Sequence, residues 1–244
     1  MKNEHKSAKE NYIYGRLPAL NCLEVSKVKQ VYLQHNFSDQ KILSAISKKG
    51  LSAKYVDLET LNKMTHNGNH QGILVETYPH EYSSLDEILK AADGKEQPLI
   101  LILDEIEDPH NFGAILRSAD AFGVDGVIIK SNNQVPLNWT VAKVSTGASE
   151  YVKVAQVSNL NNVLRTLKER GYWIYAADGS GSHDYQMVDY RGSVALIVGS
   201  EGRGISQLVM KNSDFIIKIP MTGHVNSLNV SVSTGILLSR IRNK

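Results

Sequence analysis

The sequence has little of what builds covalent or metal-bound scaffolds. Its 244 residues include one cysteine, Cys22, which excludes an intramolecular disulfide and any zinc or iron–sulfur site built from several cysteines. A single cysteine is typical of a small buried apolar side chain in a protein of the reducing cytosol. We therefore expect a cytoplasmic protein whose stability comes from its hydrophobic core.

Long apolar runs are also absent. No segment approaches the roughly 20 consecutive apolar residues that cross a bilayer. The charged N-terminus, residues 1–12, lacks the apolar centre of a signal peptide. We therefore expect no membrane partner and a flexible polar tail over residues 1–12.

The net charge is small and unevenly distributed. A value of +2 excludes the strongly basic chains that bind nucleic acid through charge alone. Residues 1–80 nevertheless contain 11 lysines and arginines against 7 acidic residues, and the rest of the chain is slightly acidic. This asymmetry favours a polyanionic partner for the first part of the chain.

Periodicity divides the chain into two α/β parts. Residues 13–77 alternate helix and strand patterns over the length of a small domain, and residues 78–98, punctuated by proline and glycine, are predicted to be a linker. From residue 99 to 244, apolar strands alternate with amphipathic helices, which predicts a mostly parallel sheet covered on both faces. Ligands of such sheets bind beyond the carboxyl ends of the strands.

Three of these predicted strand ends carry polar turns. The strand 99–103 leads through acidic residues into a helix on which Asn111 and Arg117 lie off the apolar stripe. The strand 194–198 runs into Gly199-Ser200-Glu201-Gly202-Arg203-Gly204. The last strand ends at Ile219, and Ser227-Leu228-Asn229 directly precedes a helix predicted from Val230 to Ile241. Because one polar side chain is enough to cap that helix, the presence of two, Ser227 and Asn229, suggests that one of them binds a ligand.

These three stretches resemble, in order and separation, the three signature motifs of the SpoU-type RNA ribose 2′-O-methyltransferases. The matching segments are Asn111–Ser118, Gly199–Gly202, and Ile219–Met221 with Ser227–Asn229. Two further stretches, Ile13–Leu20 and Asn69–Ile73, resemble the small domain, related in shape to L30e-type RNA-binding proteins, found in the ribosomal-RNA branch of this family. That branch methylates a guanosine ribose in large-subunit (23S) rRNA.

The resemblance implies an architecture. It implies an L30e-like α/β domain, residues 13–77, that binds the RNA substrate, followed by a methyltransferase domain, residues 99–244, of the SPOUT class. In that class the C-terminal chain forms a trefoil knot, which is otherwise almost absent from proteins. It further implies a homodimer that buries the last helix and places the cofactor near the subunit boundary.

The resemblance also implies the site residues. S-adenosylmethionine is the expected cofactor, with no metal. The cofactor-binding candidates are Gly199, Ile219, Ser227, Leu228 and Asn229, and the catalytic candidates are Asn111, Arg117, Glu201, Ser227 and Asn229. For RNA contacts, basic residues of the first domain are the candidates: Arg16, Lys27 and Lys29.

Three of these roles can be weighed chemically. A guanidinium keeps its proton up to a pKa above about 12, so we expect Arg117 to position the hydroxyl and a phosphate, and to remove a proton only if the site lowers its proton affinity. Glu201 could support the loops of the site by accepting hydrogen bonds or could receive the hydroxyl proton, and we favour support. Asn111, near a helix start, is equally compatible with a capping role.

Other interpretations remain open. The same chemistry could act on tRNA, or the chain could be a noncatalytic RNA-binding or ribosome-assembly protein that keeps the fold. A metal site at His66 and His70 is disfavoured because the intervening Asn67-Gly68-Asn69 breaks a helix. We expect the acidic stretch 104–108 to be a solvated helix entrance. The glycines of 199–204 lack the Lys-Ser/Thr ending of a phosphate-binding loop.

Overall fold

The computed structural model describes residues 11–25 and 27–243 and divides into two compact units, one ending at His80 and the other beginning at Glu81. The first unit is a four-stranded sheet with three helices. Its strands are β1 (Tyr12–Tyr14), β2 (Val28–Gln34), β3 (Ala53–Val56) and β4 (Ile73–Thr77). Its helices are α1 (Arg16–Val25), α2 (Gln40–Lys48) and α3 (Leu58–Met64).

The sheet of the first unit is mixed, in the order β1-β4-β2-β3. Strand β4 runs antiparallel to β1 and β2, and β2 runs parallel to β3. Tyr12 pairs with Glu76, and the Thr77 N–H donates to the carbonyl of Asn11 at 2.9 Å. Residues 1–10 of the predicted tail lie outside the described residues, but Asn11 and Tyr12 are not tail, because they satisfy the backbone groups along the edge of β4.

The second unit is a seven-stranded parallel sheet in the order β7-β6-β5-β10-β8-β11-β9. The strands are β5 (Leu99–Asp104), β6 (Gly126–Lys130), β7 (Val154–Val157), β8 (Trp173–Ala177), β9 (His183–Asp184), β10 (Val194–Gly199) and β11 (Phe215–Lys218). The helices are α4 (Leu85–Ala92), α5 (Pro109–Ala121), α6 (Trp139–Val144), α7 (Leu160–Glu169), α8 (Gln207–Lys211) and α9 (Val230–Arg242). In the ranges described, no helix has the length and apolar character needed to span a bilayer.

Both faces of this sheet are buried, which explains the continuous apolar sequence of its strands. In β5, alternate residues point to opposite sides: Leu99, Leu101 and Leu103 pack under α5 and α9, and Ile100 and Ile102 pack under α4, α7 and α8. The prediction of a mostly parallel sheet covered on both faces is confirmed.

Helix α4 lies within the segment 78–98 that the sequence predicts as a linker, yet it belongs to the core of the second unit. A capping box between Ser84 and Glu87 starts this helix, and Ile88 and Leu89 are fully buried. Ile88 packs so closely on β6 that a Cβ on Gly126 would lie 2.4 Å from it. The buried pair Ile88-Leu89 therefore makes helix α4 part of the second unit and not part of a linker.

The last helix is fixed to α5 at both ends. At its end, the Arg242 guanidinium donates hydrogen bonds to three backbone carbonyls, those of Gln97, Phe122 and Gly123, at 2.5–2.9 Å. At its start, the Asn229 side chain bonds to Asn111 of α5. This placement brings the turn before α9 to the carboxyl edge of the sheet.

Candidate functional site

The three predicted loops of the second unit converge at the carboxyl edge of the sheet. Strands β5, β10, β8 and β11 are neighbours there, so the turns that follow them lie side by side. Asn111 comes from the helix after β5, Glu201 from the turn after β10, and Asn229 from the turn after β11. These three side chains form one hydrogen-bonded group, which we call the polar cluster.

Glu201 is the centre of the polar cluster. Its Oε1 accepts from Asn229 Nδ2 at 2.6 Å, from Asn111 Nδ2 at 3.1 Å and from the Val230 N–H at 3.4 Å. Asn229 Nδ2 also donates to Asn111 Oδ1 at 2.9 Å. Within the described ranges, Glu201 Oε2 receives no hydrogen bond. One carboxylate oxygen therefore holds two distant chain segments, and the other stays open to a ligand.

Of the two asparagines, only Asn229 caps its helix. Asp108 caps α5 by accepting the His110 N–H, with Pro109 in the first turn, so Asn111 is not needed as a cap and is buried facing Glu201. Asn229 does cap α9, because its Oδ1 accepts from the Ser231 N–H at 2.9 Å and the Ser231 hydroxyl at 2.6 Å. Its amide nitrogen is thereby directed at Glu201.

A first cavity of about 220 Å³ opens beside the polar cluster. Four of the five predicted cofactor residues line it, and the fifth, Asn229, does not: the lining four are Gly199, Ile219, Ser227 and Leu228. Gly199 packs directly on the opposite side of its turn, where an added Cβ would lie 2.2 Å from the Gly204 carbonyl carbon. Only glycine fits there, because any side chain would overlap the backbone of Gly204.

A second cavity of about 230 Å³ adjoins the first. Its lining includes Asn111 and Arg203, and it shares three residues with the first cavity: Ser200, Glu201 and Val230. Glu201 therefore lies between two spaces, each of a size that holds part of a nucleotide, whereas Asn111 lines the second cavity alone and Asn229 lines neither. This arrangement can bring two ligands together at the Glu201 carboxylate.

Two acidic residues hold the turn after β10 in place. Asp104 is buried, and its Oδ2 accepts the Ser206 N–H at 2.8 Å. Glu105 Oε1 accepts from Lys130 Nζ at 2.5 Å, a hydrogen bond that lowers the pKa of Glu105, and Glu105 Oε2 lies 3.3 Å from Arg203 Nη1. The expectation that the whole 104–108 stretch is a solvated entrance is wrong for these two side chains, because backbone and cationic donors are within their reach.

Arg117 is not brought to the polar cluster within one chain. It follows Asn111 by six residues on α5, about 240° further around the helix axis, and is exposed. It lines neither cavity, and no residue in the described part of the chain makes a hydrogen bond or ion pair with it. The helix spacing that kept Arg117 off the apolar stripe also keeps it off the face of Asn111.

The three predicted RNA contacts all belong to the first unit and differ in their surroundings. The Arg16 guanidinium lies 5.4 Å from the Phe37 ring centroid and 3.8 Å from Asp39. Lys29 Nζ is 2.6 Å from Glu76 Oε1, so this ammonium already has a partner. Lys27 is exposed. The Lys29 ion pair is the tighter of the two, so Arg16 and Lys27 are better placed than Lys29 to meet a phosphate.

The structure adds a residue that the sequence analysis did not select. Asp178 follows β8 and lines the first cavity, beside Gly179. The signal was present, since Asp178-Gly179-Ser180-Gly181 is a polar, glycine-rich turn directly after a predicted strand, like the three turns that were selected. Only the family motifs distinguished those three from this one.

No metal is indicated by the geometry. Over the residues that the structure describes, no group of three or more His, Cys, Asp and Glu side chains is arranged to hold an ion. The ring of His70 instead bonds Asn62 Oδ1 at 3.1 Å and the Gly72 N–H at 3.0 Å.

Comparison with known protein families matches both units. Residues 98–239 match the model described as the SpoU rRNA methylase family, and residues 12–83 match the model described as RNA 2′-O ribose methyltransferase substrate binding. A protein of Bacillus subtilis assigned to the TrmH family of tRNA/rRNA methyltransferases, YacO, is 40% identical over 243 residues, which are 98% of this chain and 97% of that protein.

Solved structures share the fold. The SpoU methyltransferase AviRb of Streptomyces viridochromogenes, in complex with S-adenosylmethionine, aligns with a TM-score of 0.69 at 21% identity, over 99% of this chain and 92% of that one. The TrmH/SpoU tRNA-modifying enzyme of A. aeolicus aligns with a TM-score of 0.56 at 32% identity, over 65% and 80% of the two chains.

The contact at Gly199 generates a prediction. Gly199→Ala places a methyl group against backbone that cannot rotate away, and we expect the free energy of unfolding to fall by about 2–3 kcal/mol. Gly202→Ala is the matched control in the same turn, because its Cβ meets nothing within 4 Å, and we expect a change below about 0.5 kcal/mol. Urea denaturation measures both, and equal stabilities would contradict the close approach.

Proposed function

Because the chain belongs to the SpoU family of S-adenosylmethionine-dependent RNA methyltransferases, we propose that it methylates the ribose 2′-hydroxyl of a guanosine in large-subunit (23S) rRNA. The observation that carries this proposal is that Glu201, the centre of the polar cluster, lines both of two adjoining cavities. One cavity is suited to the methyl donor and the other to the target nucleotide.

The first cavity fits the donor chemically. Its wall at Gly199, Ile219 and Leu228 offers apolar surface to the faces of a purine. Ser227 adds a hydroxyl to the same wall. When bound, S-adenosylmethionine supplies a methyl group activated by a sulfonium. The chain's part is to hold that methyl in line with the attacking oxygen.

The polar cluster is suited to hold the attacking hydroxyl. Glu201 Oε2 can accept a hydrogen bond from the 2′-hydroxyl while Oε1 keeps Asn111 and Asn229 in place. With donor and RNA bound, this arrangement would hold the 2′-hydroxyl oxygen against the donor's methyl, and the hydroxyl proton would leave to water as the methyl is transferred and S-adenosylhomocysteine is formed. Positioning of two bound reactants can supply a large part of the acceleration in such a step.

The target nucleotide is proposed to enter the second cavity, with Arg203 at its edge to meet a phosphate. The first unit is proposed to bind another part of the RNA, through Arg16 and Lys27 more than Lys29. The substrate-binding match over residues 12–83 supports this division of labour.

The same chemistry on tRNA is the second candidate. The similarity to the A. aeolicus tRNA-modifying enzyme supports it, because 65% of this chain aligns with a tRNA enzyme at 32% identity. The presence of the first unit favours rRNA, since that added domain characterises the rRNA branch in the family resemblance.

A labelled-methyl assay distinguishes these candidates. We expect the purified protein to transfer the methyl of S-adenosylmethionine to unmodified 23S rRNA. The phosphodiester bond on the 3′ side of the methylated guanosine should then resist alkaline hydrolysis. Label in tRNA alone would overturn the rRNA assignment. No label in either RNA, together with no binding of the donor, would leave the noncatalytic RNA-binding protein as the better account.

The position of Arg117 supports a homodimer. Since Arg117 lines neither cavity of its own chain, we propose that it acts in the site of a second copy, where it positions the hydroxyl and a phosphate. The expectation that the cofactor lies near the subunit boundary agrees with this arrangement.

Complementation tests the shared site. Arg117→Ala and Asn229→Ala are each expected to be inactive as homodimers. In a heterodimer isolated with two affinity tags, one site would have both intact residues, and we expect about half of the wild-type rate. An inactive heterodimer would mean that Arg117 serves the site of its own chain, and a monomer in sedimentation would contradict the dimer itself.

A further inference from the structure

Asp178 is a carboxylate in the first cavity that the proposed chemistry does not use. It directly follows β8 and is half-buried. Among the described residues that line this cavity, it is one of three ionisable side chains, together with Glu201 and Lys218. Glu201 belongs to the polar cluster, so Asp178 requires a separate explanation.

The two carboxylate oxygens of Asp178 differ in their hydrogen bonds. Oδ1 accepts from the Ser180 N–H at 2.9 Å and from the Ser180 hydroxyl at 2.6 Å, which fixes the side-chain rotation. The Asp178 N–H donates to the Ile217 carbonyl at 3.0 Å, which fixes the backbone to the adjacent strand. Within the described part of the chain, Oδ2 receives no hydrogen bond.

The free oxygen lies over the wall of the first cavity. An added Cβ on Gly204 would come within 3.1 Å of Asp178 Oδ2, so this oxygen overhangs the glycine turn after β10. Gly204 also has a positive φ of 66°, a conformation that favours glycine there. Oδ2 is thus a fixed, charged acceptor at the edge of the proposed donor site.

We propose that Asp178 Oδ2 binds a ribose hydroxyl of the methyl donor, an inference that rests on the proposed function because it needs the donor in this cavity. Strand order supports it: β10 separates β8 from β5, so Asp178 is on the side of the cavity away from Asn111. The donor's ribose and adenine must extend away from the methyl that faces the polar cluster. An acidic side chain beyond a parallel strand end is a frequent partner of ribose hydroxyls.

The competing ligand group is the α-ammonium of the donor's methionine part, which a carboxylate would also bind. Two donor analogues separate these groups. S-adenosylhomocysteine has both the ribose and the ammonium, whereas 5′-methylthioadenosine has the ribose alone. Isothermal titration of both ligands therefore identifies the group that Asp178 contacts.

Asp178→Asn is the test variant, and Asp184→Asn is its matched control. Asparagine keeps an oxygen for Ser180 but places an N–H₂ donor where Oδ2 stood. Asp184 accepts the Gln186 N–H at 2.9 Å in a turn of the same type and does not line the first cavity. We expect Asp178→Asn to weaken both analogues by about tenfold or more, and Asp184→Asn to leave both affinities unchanged.

A ligand-side measurement makes the test independent of the variant's folding. Wild-type protein is expected to bind 2′,3′-dideoxy-5′-methylthioadenosine more weakly than 5′-methylthioadenosine, and Asp178→Asn is expected to bind the two with similar affinity. Weakened binding of S-adenosylhomocysteine alone would assign Asp178 to the ammonium and overturn the inference. Unchanged binding of both analogues, or equal wild-type affinities for the two methylthioadenosines, would also overturn it. Wild-type protein that binds no analogue would overturn the proposed function itself.

Discussion

The site depends on one carboxylate oxygen. Glu201 Oε1 accepts hydrogen bonds from Asn111, Asn229 and the Val230 backbone, which lie 90, 28 and 29 positions away in the chain, respectively. Hydrogen bonds to an ionised carboxylate are shorter and stronger than neutral ones, so this oxygen can hold the starts of two helices at fixed distances. Without it, α5 and α9 would still pack, but their polar residues would have no common centre.

The surrounding fold serves this contact. A sheet buried on both faces aligns the carboxyl ends of β5, β10, β8 and β11, which places the loops of the site along one edge. Glycine at positions 199 and 204 lets the two sides of the β10 turn touch, and Asp104 and Glu105 tie that turn to β5 and β6. The turn after β10, which lines both cavities, is therefore held in place, which suits a ligand that must be held rigidly.

Much of this arrangement could be predicted from the sequence. The apolar run of β5 predicts a strand buried on both faces, and the polar glycine turns after β10 and β11 predict loops that converge. Some elements could not be predicted. Strand β9 and helix α6 are too short to show a hydrophobic period. Helix α4 lies in a segment whose proline and glycine residues predict a linker, although its pair Ile88-Leu89 is buried.

The direction of side chains was less predictable. Helical spacing places Arg117 off the core but does not say whether it faces Asn111, and that relation needs the packed helix. Asp104 and Glu105 belong to a charged segment, and only tertiary neighbours such as Lys130 and Ser206 reveal that their carboxylates are bound. The knot and the dimer of the family resemblance stay predictions.

The single-turnover rate of methyl transfer tests the central claim most directly. Glu201→Ala removes the acceptor that Asn111 and Asn229 share and leaves only their direct hydrogen bond, and with saturating donor and RNA we predict a rate about 100-fold below that of the unaltered protein. Glu169→Ala, on an exposed part of α7, should leave the rate unchanged. Transfer by Glu201→Ala at the unaltered rate would show that the polar cluster is not where the ribose hydroxyl reacts.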